Sequence, residues 1–292
     1  MTARSAQRAR GSAPVRALAP TVTVRTRRRR APLAGAKTRL LIGRVVFFGL
    51  LFAIWHIATT ATYLGSSIST PLETAGAFLE LMVSLDFWDA VGKTARSTVL
   101  GVLLAVFLGV GIGLILSIGP QFYRSASFVI DFLRTVPGLA ILPLGILVLG
   151  PTMQLDLLMI VFSAVWPVLI QTVYAVRQLD RELIETVRTY RVGPLRRFLT
   201  VILPACLPRI ATGVRISATM TLLLAVGTEL LAGSPGLGNL ISVYQQNAVY
   251  PELYACIIWT GIFGFLFNAG IRLLERKALA WHFTPRAMAA NS

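Results

Sequence analysis

Six long apolar runs decide what this chain can fold into. They lie at about 40–63, 99–118, 128–149, 157–176, 205–231 and 254–274. Each is near the roughly 20 residues with which an α-helix crosses about 30 Å of hydrocarbon. The expectation is an all-α membrane protein with six transmembrane helices. Composition agrees, with 55% hydrophobic and only 14% charged residues and a mean hydropathy of +0.71. Soluble domains carry about 25% charged residues, so a water-soluble globule is excluded.

Six spans put both termini on one side, and charge says which. Short cytoplasmic loops retain Lys and Arg. The stretch 1–39 holds eleven basic residues and no acid, whereas 64–94 carries Glu73, Glu80, Asp86 and Asp89 against Lys93. Arg124 is the only charge in 119–127, Asp156 in 150–156 and Glu252 in 232–253. Segment 177–203 has six arginines against three acids, and Arg276, Lys277 and Arg286 follow the last run against Glu275. Basic and non-basic connections alternate, so both termini are expected in the cytoplasm.

The net charge of +16 belongs largely to the tail, since the other 253 residues carry seventeen basic groups against twelve acids. Ala, Pro, Arg and Thr without aromatic residues read as a disordered tail attracted to anionic headgroups, not as a nucleic-acid-binding fold. Arg28-Arg29 resembles the start of a twin-arginine export signal, but the next segment is span-length without an evident cleavage site, which favours a retained signal-anchor. Two cysteines, Cys206 and Cys256, and two histidines, His56 and His282, make a zinc site improbable. The orientation puts the cysteines near opposite faces, too far apart for a bridge. In the loop 64–94, Leu72, Ala75, Phe78, Leu79, Met82 and Leu85 recur on one helix face, an interfacial helix with Trp88 as its anchor.

Between the fourth and fifth spans, 178–204 is too polar to cross and too patterned to be slack. Asp180 can cap a helix beginning at Arg181, with Leu183, Val187 and Tyr190 as its apolar stripe. Gly193-Pro194 is expected to break that helix. A second helix, 195–203, leads back to the membrane, punctuated by Pro204 and Pro208. This is either a docking element for a cytoplasmic partner or an ordinary amphipathic loop.

The segment Glu185-Thr186-Val187-Arg188-Thr189-Tyr190-Arg191-Val192-Gly193, followed by Leu203-Pro204, resembles the "EAA" loop of permeases from binding-protein-dependent ABC importers. That motif runs Glu-Ala-Ala, three residues, Gly, then a Leu-Pro farther on, and Glu185 precedes Pro204 by 19 positions. Two departures stand out: Thr186-Val187 replaces Ala-Ala, and the motif glycine falls on Arg191, two residues before Gly193. Arg134-Thr135-Val136-Pro137, Ile141-Leu142-Pro143-Leu144, Gly213-Val214-Arg215, Glu229 and Gly236-Leu237-Gly238 are similar to the nitrate/sulfonate/taurine branch, in the same order. The resemblance covers roughly 90–275.

It implies a type I ABC importer permease in the inner (plasma) membrane, paired with a second copy of itself. It further implies two cytoplasmic ATPases that hold ATP and Mg, an extracytoplasmic solute-binding protein, and a small anion such as nitrate, sulfonate or taurine as solute. ATPase coupling would fall to Glu185, Thr186, Val187, Arg188, Arg191, Gly193 and Pro204. The chain itself has no phosphate-binding loop: Gly92-Lys93-Thr94 lacks the upstream glycine, that place being Phe87. No catalytic, cofactor or metal site is expected in it.

Ionisable groups inside spans are candidates for the solute path or its gates. Asp131 and Arg134 stand i,i+3 and can pair, as a structural pair, a link to the coupling region, or part of the path. Arg215 is either an anion contact or a helix-to-helix tie. Glu229 either lines a gate or caps the Gly-rich turn after it, and His56 reads as a hydrogen-bonded bundle residue. Gly109, Gly111 and Gly113 permit close helix approach. The organisation is thus a basic tail (1–39), first span (40–63), outer loop with interfacial helix (64–94), core with five spans and coupling loop 178–204 (95–277), and a cytoplasmic tail (278–292). An ion-coupled secondary transporter would need paired carboxylates near mid-membrane, for which only Asp131 and Glu229 offer themselves. A non-transporting scaffold is the other alternative.

Overall fold

The computed structural model of the protein describes residues 34–60 and 68–280. The basic tail up to residue 33, the link 61–67 and the end of the chain, with His282 and Arg286, lie outside the described residues. The described residues are helical throughout, without strands. In order they form α1 (Ala34–Thr60), α2 (Pro71–Val83), α3 (Leu85–Leu116), α4 (Pro120–Leu133), a 3-10 turn (Gly138–Ile141), α5 (Leu142–Leu149) and α6 (Met153–Arg177). Next come α7 (Arg181–Thr189), α8 (Pro194–Arg197), a π turn (Phe198–Ile202), α9 (Leu203–Ala232), α10 (Leu237–Gln246) and α11 (Tyr250–Ala278). Among the described residues, five helices are long and apolar enough to cross a bilayer. The broken pair α4 and Gly138–Leu149 makes a sixth if it acts as one span. Two compact units divide after Leu51, so the first part of α1 stands as a unit of its own.

The third apolar run is therefore not the straight helix expected over 128–149. It begins earlier, at Pro120, and bends by 77° where Leu133 meets Gly138. Pro137 has no N–H to continue the helix and disfavours helical backbone at Val136. Pro143 is harmless because it falls in the first turn of α5. Arg124 consequently lies on a helix, not in a loop.

The second span is also longer than 99–118. Ser84 caps α3 by accepting from the Phe87 N–H at 3.3 Å, and the Asp89–Lys93 pair continues the helix through its charged first turns. The interfacial helix is accordingly only α2, started by a capping box between Thr70 and Glu73. The Thr70 N–H and hydroxyl hold the Glu73 carboxyl below the usual carboxylate range. Its buried face is Pro71, Thr74, Ala77 and Leu81, with Phe78 stacked on Trp259 of α11, centroids 4.5 Å apart. The expected stripe is mostly the opposite face: Leu72, Leu79, Met82 and Leu85 are exposed. Trp88 is half exposed and ties the α2–α3 corner, its Nε1 donating to the Met82 carbonyl at 2.8 Å.

At the centre, α6 is enclosed by α3 and α9, with α5 against Leu155 and Met159 and α4 against Val173, so that Leu155, Met159, Ile160, Ala164, Val168 and Val173 have no exposed surface. In a bilayer such packing needs small residues at the contact, and α3 supplies them every fourth position. Gly101, Ala105, Gly109 and Gly113 face α6: a Cβ on Gly109 would lie 2.8 Å from Val168 Cβ, and one on Gly113 2.7 Å from Thr172 Cβ. Gly111 does not belong to this contact, since nothing stands within 4 Å of its Cβ position. From α9, Gly213 packs against the Pro167 carbonyl and Ser217 donates to the Ala164 carbonyl at 2.7 Å. Cys206 and Cys256 are both free and buried in different apolar clusters.

Gly109→Leu or Gly113→Leu should force α3 from α6 and cost about 1–3 kcal/mol, seen as a lower thermal midpoint of the purified permease. Gly111→Leu should leave that midpoint in place.

Candidate functional site

The loop between α6 and α9 is a short helix held out from the helical core. Asp180 accepts from the Glu182 N–H at 3.0 Å and starts α7. Only Val187 is buried on it, and Ile184 is half-buried. Glu185, Thr186, Arg188 and Arg191 are exposed. Tyr190, expected on the stripe with Val187, is 78% exposed. The helix ends at Arg191 and not at Gly193. Arg191 has φ +50°, its N–H bonds the Arg188 carbonyl at 2.9 Å, and the Val192 N–H bonds the Val187 carbonyl at 3.4 Å. This is the left-handed helix ending usually made by glycine. The break thus falls where the resembled motif has its glycine, while Gly193 has an ordinary φ of −57° and open space for a Cβ.

The prolines after it do not interrupt the helix as expected. Pro204 lacks the N–H that an α-helix would direct to the Thr200 carbonyl. The chain widens instead into the π turn Phe198–Ile202, with the Leu203 N–H bonded to the Phe198 carbonyl. Pro204 falls in the first turn of α9 and Pro208 within it. The base of the loop is braced: the Arg209 guanidinium donates to the Gln178 side-chain carbonyl, and Ala175, Cys206 and Ile210 pack together beneath it. Arg177 lies over the Tyr123 ring of α4 at 4.1 Å from its centroid.

Beside the break between α4 and α5 lies a cavity of about 440 Å³, lined among others by Arg134, Thr135, Gly138, Ser163 and Trp166. The hydroxyl of Ser163 and the Nε1 of Trp166 are buried and have no partner among the described residues. A Cβ on Gly138 would overlap Ser163 Oγ. Asp131 pairs with Arg134 at 3.0 Å, both half-exposed. The Arg134 guanidinium, paired with Asp131, is thus the charged donor that lines the cavity, with the Ser163 hydroxyl and the Trp166 N–H buried in its wall.

The remaining sequence candidates lie elsewhere. Arg215 ties α9 to α11 through Glu275, with Nε 3.0 Å from Oε2. Glu229 is fully buried at the end of α9 away from α7. Its Oε2 accepts from the Gly238 N–H at 3.0 Å and the Thr94 hydroxyl at 2.8 Å, and Thr94 in turn accepts from the Leu237 N–H at 2.8 Å. Gly236 and Gly238 leave no room for a Cβ against Glu229 and the α9 backbone. Glu229 is therefore the cap of the turn into α10. The His56 side chain is exposed.

Sequence reading missed Thr94, Asp156, Ser163 and Trp166. Asp156, expected in a loop, is buried in the first turn of α6. Thr94 had a signal in the small polar residues Thr94, Ser97 and Thr98 opening an otherwise apolar helix. Ser163 and Trp166 had a weaker one in their place just before Pro167.

Residues 98–279 match the family of binding-protein-dependent transport system inner membrane components, and the chain belongs to that family. A Bacillus subtilis (strain 168) permease named for aliphatic sulfonates transport, SsuC, is 32% identical over 237 residues, covering 80% of this chain and 84% of that one. The nitrate import permease protein NrtB of Leptolyngbya laminosa is 27% identical over 87% of this chain and 95% of its own. Among solved structures, a bacterial ABC transporter involved in alginate import superposes with a TM-score of 0.57 at 14% identity, over 83% of this chain and 99% of that one. The inward-facing MetNI methionine ABC transporter gives 0.56 at 18% identity over 64% and 94%. At such identities the likeness is one of fold.

Thr94→Val should strand the Leu237 N–H and leave Glu229 Oε2 with the Gly238 N–H as its one remaining donor, costing about 1–3 kcal/mol. It should raise amide exchange across 233–240, read by hydrogen–deuterium exchange.

Proposed function

We propose that this ABC importer permease takes a small anion, such as nitrate, a sulfonate or taurine, through the cavity at the broken third span, and that a separate ATPase drives it by docking on α7. The anion reading rests on the names of the relatives, with Arg134 lining the cavity as the cation that would meet the solute. The docking reading rests on one observation above all: α7 stands out from the core, almost wholly exposed, yet its base is clamped to α6 and α9 by Gln178 and Arg209. A helix mounted in this way moves with the spans it joins, so displacement at α7 reaches α6 and α9 as rigid-body motion. Arg177 on Tyr123 carries it to α4, the near side of the break.

ATP and its Mg belong to two partner ATPases, while this chain supplies path and lever. A second copy completes the path, a solute-binding protein delivers the anion at the opposite face, and both termini lie in the cytoplasm of a cell whose inner membrane the chain spans. Glu185, Thr186, Val187, Arg188, Arg191, Gly193 and Pro204 form or position the docking element. Arg134, oriented by Asp131, faces the solute. Arg215 and Glu229 hold helices together around it.

Glu185→Arg should lower ATP-driven uptake in proteoliposomes at least about tenfold while membrane insertion and dimer assembly persist; undiminished uptake would refute the docking reading. Ser163→Ala with Trp166→Phe should raise the apparent KM for the anion and leave basal ATP hydrolysis unchanged. An unaltered KM would remove the cavity from the path.

A further inference from the structure

Arg191 holds a left-handed backbone conformation that strains any L-residue with a side chain and that glycine adopts freely. Ala248, at φ +56°, is the other such non-glycine residue among the described ones. Strain of this kind persists where the surroundings impose it and clusters at functional sites, and of the two only Arg191 carries a side chain that can bind. Yet Arg191 is exposed and has no ion-pair partner among the described residues. Beside it Tyr190 is 78% and Leu195 71% exposed, two large apolar groups in an aqueous loop. Arg188, Arg196 and Arg197 flank them in the chain, and the acids Glu182 and Glu185 lie back toward the start of α7. Aromatic and arginine anchors inside a polar rim are the composition of a binding hot spot.

We infer that the tip formed by Tyr190, Arg191 and Leu195 selects its partner: Arg191 pairs with a carboxylate on the docked ATPase while Tyr190 and Leu195 fill an apolar recess beside it. The inference rests on the docking reading above and adds the chemistry the partner must present. An anionic membrane surface also attracts arginines, but it responds to the number of charges more than to their placement. Three unstrained arginines nearby already serve that purpose, so a lipid surface gives no reason for a cation at the strained position.

The test uses the full-length permease in nanodiscs and an ATP-binding subunit whose hydrolysis this permease stimulates. Arg191→Gly relaxes the backbone, so the protein should stay folded with an equal or higher thermal midpoint. It should nevertheless bind the ATPase about tenfold more weakly, and with a flatter salt dependence. Arg191→Glu should weaken binding further, and a Glu→Arg or Asp→Arg change on the ATPase surface should restore it. Unchanged affinity in both Arg191 variants overturns the inference. If Glu185→Arg still releases the ATPase, the docking reading survives that result; if it does not, both fall. A loss of affinity seen only in nanodiscs of anionic lipid, and absent in phosphatidylcholine, assigns the guanidinium to lipid and also overturns the inference.

Discussion

The close approach of α3 to α6 is the contact on which the rest of the structure depends. Lipid tails are as apolar as leucine, so helices in a bilayer gain little by hiding apolar surface and must gain by fit. Gly101, Ala105, Gly109 and Gly113 provide that fit along about three turns, and Gly213 with Ser217 repeats it from α9. With α6 fixed between two neighbours, its two ends become reference points. One end carries Gln178 and the exposed helix α7. Near the other, Glu229 of the neighbouring α9 gathers α3 and α10 with two hydrogen bonds to its carboxylate.

Departures from regular helix sit between these fixed parts. The bend after α4 leaves a cavity whose wall buries the unpartnered Ser163 hydroxyl and Trp166 N–H, and the π turn before α9 lets Pro204 stand in a continuous helix. Wide turns of this sort recur at functional places in helices. Here one lies where the braced loop rejoins the spans, so a push on α7 meets a locally widened segment before it meets the packed core.

The sequence made some of this plain and hid the rest for physical reasons. Long apolar runs reported the spans, because a bilayer-crossing helix needs length and hydropathy and little else. They did not report the bend of the third span, since Pro137 and Gly138 lie amid apolar residues and hydropathy is blind to backbone geometry. The stripe on α2 did not disclose the face that packs on the protein: Pro71, Thr74, Ala77 and Leu81 are buried, while Leu72, Leu79 and Met82 of the stripe stay exposed and Phe78 reaches Trp259. Spacing placed Asp131 beside Arg134, but Arg215 found Glu275 from another helix sixty residues away, which only packing reveals. At α7 the departure at Arg191 looked like a displaced break. The backbone instead keeps the left-handed turn and carries a charged side chain there.

The most direct measurement is hydrogen–deuterium exchange of the full-length permease with and without its ATPase partner. Added protection concentrated over 181–197, with little change across α2 and α10, is the expected result. Protection elsewhere with 181–197 unaltered would contradict the assignment of α7 as the helix through which the importer is driven.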